Sequence, residues 1–514
     1  MNGILYCCSL PLWEGFDEPF HYGYVETVGN LYTLPMMNRT HISEEIRSSL
    51  DAVPLSRLLS AGVPGAISFE EWARLTGEQK RSRRALSGQL TRAMQVRGDE
   101  IVNYEAQQAP LAYLAFAPLY RLLSGTSLTT RVLWLRIAAT VIATFALFFG
   151  LERLAVTFGV PGVFRLLAIA VVFEEQMLWA SLAHIGNDVV SIPLTVWCFT
   201  WLAVTAGNAT ARNVLVLSAI FAAGLLTKAY FLAFAPVLAG FAAWLILTRK
   251  ISLKTAVAAA LLVLAVDGPW YVRNIVLYHS LSGTQQSVVG IGWAQVLGAI
   301  PKIDWLRSVT DFAMWSLWTG NWSFLSFSKI TLSMEVLLLV GTAGTYITPL
   351  RARITSSECW VLLGCGAFAG ALVYQTCVTW VHTHGESTHP EPWYGQGAIG
   401  VLVVLCCKGL SRSGVAGRGI GAALSLITAW ILTMTYIAKL LPYYGAAVTR
   451  SNFRAIWSFW SSHPSRELGM VLPAPIPVIY FLLVSLLLLL VALTARLVTQ
   501  VMRSNFDYSV RANG

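Results

Sequence analysis

Two carboxylates stand side by side at Asp17 and Glu18, inside the stretch EGFDEPFHYGY that follows a short apolar opening. Pro19 comes next and blocks a helix from continuing through them. Two further clusters share this acid and amide character. NYEAQQAP supplies Glu105, Gln107 and Gln108, and HIGNDVVSIP supplies Asn187 and Asp188. A carboxylate held beside a hydroxyl can take its proton, whereas a solvated surface acid does nothing of the kind. Cations sit where they are expensive: Lys228 interrupts the apolar run 213–248, and Arg273 follows Trp270 and Tyr271. A base in such surroundings calls for an anion, unless it snorkels to the membrane interface. Arg136, in WLRIAAT, is a third base of this kind. Acids that abstract a proton, and cations that receive a departing anion, suit a transfer reaction in which negative charge grows on the leaving group.

The elements that must carry these residues are membrane helices. Of 514 residues 56% are hydrophobic and 12% charged, against roughly 45–50% and 25% in ordinary soluble domains. Apolar runs recur from position 131 onward, most of them long enough to cross a hydrocarbon core of about 30 Å. The expectation is an all-α polytopic bundle, with spans near 131–152, 162–183, 190–206, 213–227, 230–248, 255–270, 331–349, 357–380, 396–410, 419–440 and 472–498. A short first helix in MNGILYCCSLPL brings the expected total to about twelve, with that first one incomplete, or continued from an upstream start. It lacks the basic region and cleavage site of a signal peptide. Threading the spans alternately puts Arg153, Arg165, Arg212, Arg249, Lys250, Lys254, Arg351, Arg353, Lys408, Arg412, Arg418, Arg496 and Arg503 on one side, the cytoplasmic one by charge asymmetry. The net charge of +10 therefore reports orientation, and nucleic acid is not an expected partner. The eight cysteines lie mostly in apolar runs and show neither disulfide nor zinc spacing.

Three longer segments then fall on the opposite face, 13–130, 271–330 and 441–471, within a single membrane domain covering 1–514. The first holds two expected amphipathic helices, near 43–60 and 69–97, the second opened by a capping box of Ser68 and Glu71. Leu86, Leu90 and Ala93 share one face of it while Arg81, Arg83, Arg84, Arg92 and Arg97 fill the rest, a pattern of a helix on a membrane surface or in solvent. APLAYLAFAPLYRLL, 109–123, reads as a re-entrant or interfacial helix.

FDEPFHYGYV, NYEAQQAPLAYLAFAPLYRLL, WLRIAATVIATF, ASLAHIGNDVVSIPL, GLLTKAYFLAFAP and DGPWYVRNIVLY occur in this order, and the chain resembles the GT-C superfamily of polytopic glycosyltransferases. That superfamily includes the protein mannosyltransferases and the aminoarabinose transferases of lipid A. The resemblance spans roughly residues 1–280; Ala109 stands where relatives often have a proline, and the first helix is shorter than theirs. It implies a polyprenyl-phosphate-linked sugar as donor, a glycan, lipid or protein hydroxyl as acceptor, and a bacterial inner (plasma) membrane enzyme whose site faces the periplasm or exterior. It also implies that Asp17, with Glu18 second, is the catalytic base or a metal-site residue. Glu105, Gln107, Gln108, Asn187, Asp188, Lys228, Arg273 and Tyr271 become the expected substrate-binding set. One carboxylate suffices for an inverting displacement from a lipid phosphate, because phosphate leaves without being protonated. A divalent metal ion assists some relatives. His382, His384, Glu386, His389 and Glu391 offer ligands in one outer loop, where Trp393 and Tyr394 could stack on a sugar. Two other readings stay open. In a transporter or lipid-linked-sugar flippase, Glu174, Glu175 and Asp267 would serve a proton relay, and a noncatalytic degenerate relative would use none of these residues.

Overall fold

The computed structural model describes residues 1–95, 97–284, 290–347, 354–448 and 452–504, without the side chains of 97 and 99. Arg351, Arg353 and the side chain of Arg97, named above, lie outside the described residues. The protein is 77% helical. Hydrocarbon offers no partner for backbone N–H and C=O groups, so each apolar run closes its own hydrogen bonds as a helix. Nine described helices are long and apolar enough to cross a membrane, from Leu128–Thr157 to Ile476–Arg503. The chain is an integral membrane protein.

The other three expected spans are not among the helices long enough to cross. Ala211–Leu225 and Asn2–Ser9 are helices of 15 and 8 residues. The run 162–183 splits into Gly162–Glu174 and Gln176–Leu182 because Glu175 adopts an extended backbone at the junction. The Gln176 side chain, on the first turn of the second piece, ties the junction to distant chain. Its Oε1 accepts from the backbone N–H of Thr319 at 2.9 Å, and its Nε2 donates to Tyr6 Oη at 2.6 Å. A second irregularity falls at Thr435–Leu440, a π-helical turn between Gly414–Met434 and Leu441–Ala446. Such turns free carbonyls from the α-helical pattern, and Trp460 Nε1 donates to one of them, Ile437 O, at 2.9 Å.

Asp188–Gly207 is the central helix, packed against Leu128–Thr157, Ala211–Leu225, Ser356–His382 and Gln396–Arg412. Gln396–Arg412 in turn lies so close to Lys329–Ile347 that a Cβ on Gly409 would stand 2.5 Å from Tyr346 N. Small residues allow this approach where no hydrophobic drive separates helix from lipid.

The segment 13–130 differs most from the sequence expectation. Its apolar and basic pattern forms short helices, Glu44–Ala52, Arg57–Gly62, Phe69–Arg74 and Gly77–Ser87, rather than two long ones. Short strands interrupt them: His41–Ser43 pairs antiparallel with Arg97–Val102, and Pro54–Leu55 pairs parallel with Ile67–Ser68. The Ser68–Glu71 capping box is present. The bases of Gly77–Ser87 grip protein: Lys80 pairs with Glu467 at 2.7 Å, Arg83 donates to Asp51 O at 2.7 Å and Arg84 to Gly469 O at 2.5 Å. Pro19 begins a helix, Glu18–Leu31, as its missing N–H permits in a first turn. The stretch 109–123 forms the helix Leu111–Leu123, which packs on Glu18–Leu31.

Candidate active site

Asp17 caps the helix Glu18–Leu31 with a left-handed backbone, φ +54°. This conformation is uncommon for a residue with a Cβ, although aspartate tolerates it better than most. It sends the Asp17 carboxylate away from the helix to meet Tyr104, whose hydroxyl donates to Asp17 Oδ1. Tyr104 and Glu105 ride on the short 3₁₀ turn Tyr104–Gln107, which Asn103 opens by accepting from Glu105 N at 3.0 Å. Asn103 also reaches back to Phe20 O at 2.9 Å, so the second acid cluster is fastened to the first. His21, one helical turn beyond Asp17, shares its face. Its Nδ1 lies 2.8 Å from Tyr113 Oη and 3.5 Å from Glu105 Oε2.

The third cluster arrives on the first turn of Asp188–Gly207. Asp188 Oδ1 accepts from Lys228 Nζ at 2.5 Å, with both side chains about nine-tenths buried. Lys228 is placed by the extended residue between Ala211–Leu225 and the 3₁₀ turn Ala229–Phe234, and its ammonium lies 5.2 Å from the Tyr394 ring centroid. Loop bonds lock the parts together. Asn187 Nδ2 donates to Gln108 Oε1 at 3.0 Å and to Thr227 O at 3.4 Å, and Leu111 N donates to Leu226 O at 2.9 Å. Gln107 sits half-buried on the same turn as Glu105. Phe16 stacks on Trp393, centroids 4.4 Å apart, to form an aromatic wall beside Asp17.

Burial sets the protonation of this cluster. It pushes Asp17 up to about 6, with the nearby Asp188 charge adding to the shift, while the Tyr104 hydrogen bond and Lys228 oppose it. Burial, joined by the charge of Asp17, drives Glu105 to about 8, so at neutral pH Glu105 holds its proton while Asp17 has lost its own. Glu391 is raised to about 7 by the same two causes. Desolvation, with Lys228 and His184 nearby, keeps His21 well below its ordinary range and therefore neutral.

Not every expected residue joins the cluster. Glu18 is fully buried in a two-pronged ion pair with Arg136 and also accepts from Ile185 N at 3.0 Å. Arg136 additionally donates to Leu10 O at 2.5 Å and Pro11 O at 2.9 Å. This acid and this base pair with each other and hold the chain after Ser9 on the bundle. Arg273 donates to Pro35 O at 2.7 Å and lies over the Trp270 ring, because its helix continues to Tyr278 and carries it onto the loop after Leu31. Tyr271, on that same helix, packs partly buried against the core. Asp267 is buried with neither oxygen hydrogen-bonded among the described residues. Glu174 accepts from Thr428 Oγ1, and Glu175 meets Glu335, a separate acid group within the bundle. No group of three or more His, Cys, Asp or Glu is arranged to hold a metal ion among the described residues. His389 instead packs against the Trp315 ring. His21 and Tyr104 carry the signal that sequence reading missed: each sits within four residues of an acid already singled out.

Comparison with known proteins gives a sparse result. No protein-family profile matches the chain, and no curated protein does. Two solved structures are similar. Both are of ArnT from Cupriavidus metallidurans, one in the apo state and one bound to undecaprenyl phosphate. The first is 14% identical and covers 93% of this chain and 71% of that one, with a TM-score of 0.44. The second is 16% identical and covers 88% and 73%, also with a TM-score of 0.44.

Proposed function

We propose that this chain is a membrane glycosyltransferase that moves a sugar from a polyprenyl-phosphate donor to an acceptor hydroxyl outside the cytoplasm, with Asp17 as general base. The observation that carries this reading is the meeting of Asp17, Glu105 and the Asp188–Lys228 pair within electrostatic reach of one another, from four separate stretches of chain. The resemblance noted in the sequence supplies the donor class.

The chemistry follows from the charges. Tyr104 occupies Asp17 Oδ1, which leaves Oδ2 to take the acceptor proton. The acceptor oxygen attacks the anomeric carbon as the bond to the phosphate oxygen breaks, inverting that carbon. The phosphodiester leaves as a monoester, and its charge grows from about −1 toward −2. Lys228 is the base nearest this cluster, and a cation there binds the transition state more tightly than the ground state. A phosphate that approaches Lys228 competes with Asp188 for the ammonium, so donor binding would loosen that pair. Glu105, protonated at neutral pH, spares the site a further negative charge beside the incoming phosphate.

The test is transfer of radiolabelled sugar from a panel of polyprenyl-phosphate sugars to membrane glycoconjugates, by the wild type and by Asp17→Asn at equal expression. Transfer by the wild type alone is expected. Equal transfer by both would remove Asp17 from the mechanism, and transfer by neither would sink the enzyme reading. The partly buried Glu174 and the buried acids Glu175 and Glu335 favour a second reading, a transporter or flippase with a proton relay, because they lie on membrane segments with no basic partner among the described residues. Lipid-sugar translocation in vesicles without label transfer would support it.

A further inference from the structure

Far from the acid cluster, the outer surfaces of Leu128–Thr157 and Asp188–Gly207 leave a shallow, open groove of about 740 Å³. Along the central helix the separation from Asp188 to Trp201 is roughly 20 Å at the helical rise per residue, so this groove lies toward the opposite membrane face. Phe149, Val156, Trp197 and Trp201 make its wall, with Glu152 and Arg153 at its rim. Trp197 Nε1 donates to Ala146 O at 2.9 Å, which satisfies its polar edge and leaves the ring as apolar wall. Trp201 Nε1 makes no hydrogen bond among the described residues.

The rim is charged unequally. Glu152 is engaged by Arg165, Oε1 to Nε 3.3 Å. Arg153 is exposed, and its guanidinium has neither ion pair nor hydrogen bond among the described residues. An apolar aromatic slot that opens sideways from a membrane helix pair, topped by one unpaired guanidinium and one free indole N–H, matches a molecule with a hydrocarbon chain and an anionic, hydrogen-bond-accepting head. Water-soluble anions would find no use for the wall, and neutral lipids none for the base.

We propose that this groove binds an anionic glycerophospholipid, with an acyl chain along Trp197 and Trp201 and the phosphate at Arg153. Basic pockets between membrane helices hold such head groups, and one base near the surface is worth about a fivefold preference.

The test is native mass spectrometry of the full chain in detergent, titrated with phosphatidylglycerol and phosphatidylcholine of identical acyl chains. The wild type should retain phosphatidylglycerol about fivefold better. Arg153→Gln should bring the two lipids to parity, Arg153→Lys should keep the preference, and Trp201→Leu should weaken retention of both. Equal retention by the wild type, an unchanged preference in Arg153→Gln, or loss of preference in Arg153→Lys as well would overturn the proposal. Displacement of phosphatidylglycerol by polyprenyl phosphate at equal concentration would overturn it too, by assigning the groove to a different lipid.

Discussion

Lys228 and Asp188 form a buried ion pair at the junction of the central helix with the turn before Ala229–Phe234. Removing one member leaves the other charged and without its partner, which in buried pairs costs about 3–5 kcal/mol. Lys228→Met and Asp188→Asn should each lower the thermal midpoint in detergent. The double variant should recover part of the loss, because no lone charge remains. Transfer activity should stay absent in Lys228→Met and in the double variant. Full activity in the double variant would remove Lys228 from the leaving-group side.

The Tyr104 hydroxyl holds Asp17 lower than burial alone would set it. Since the base works deprotonated, transfer should rise with pH through about 6 in the wild type. Tyr104→Phe removes a hydrogen bond to the charged form, so the acid limb should move up by roughly one unit. A pH–rate profile of kcat over KM reads this directly. An unmoved limb with a uniformly lower rate would mean that Tyr104 acts only through packing.

Glu18 and Asp17 are neighbours with different duties. Glu18→Gln should destabilise the protein by about 3–5 kcal/mol, since Arg136 is left buried and only partly paired. Asp17→Asn should fold normally, because asparagine tolerates the left-handed backbone. Yield and melting of the two variants separate the roles; equal melting would contradict the assignment of Glu18 to architecture.

Gly409 makes a purely steric prediction. An alanine there would press its methyl into the Tyr346 backbone, which cannot rotate away. Gly409→Ala should cost about 1–3 kcal/mol as overpacking does, whereas Gly341→Ala, whose methyl meets nothing within 4 Å, should cost nothing. Thermal melting of both in one detergent checks this.

The spans were legible because hydropathy is a local property that the bilayer enforces. The break at Glu175 was not, since it depends on Gln176 finding the backbone of Thr319 and Gly320, which are distant in sequence. The same limit explains the site. Acid clusters at 17, 105 and 188 could be seen as clusters, but nothing local distinguishes Asp17 from Glu18; the difference is made by Arg136, 118 residues away. Arg273 was expected at the phosphate from its place after Trp270 and Tyr271; its helix continues past it to Tyr278, and its guanidinium donates to Pro35 O. Arg83 and Arg84 were expected on a membrane-surface or solvent face, yet they donate to Asp51 O and to Gly469 O, the latter in the distant segment 441–471.

The helix Asn2–Ser9 draws its contacts from across the chain: Cys7 meets Thr140, Tyr6 meets Gln176 and Asn321, and Asn2 accepts from Tyr436 at 2.6 Å over a separation of 434 residues. Its hydrogen bonds are therefore complete only when the π-helical turn bearing Tyr436 lies beside it. Asp17 follows only eight residues after Ser9, so the acid cluster hangs by a short tether from a helix whose hydrogen-bond partners reach as far along the chain as Tyr436.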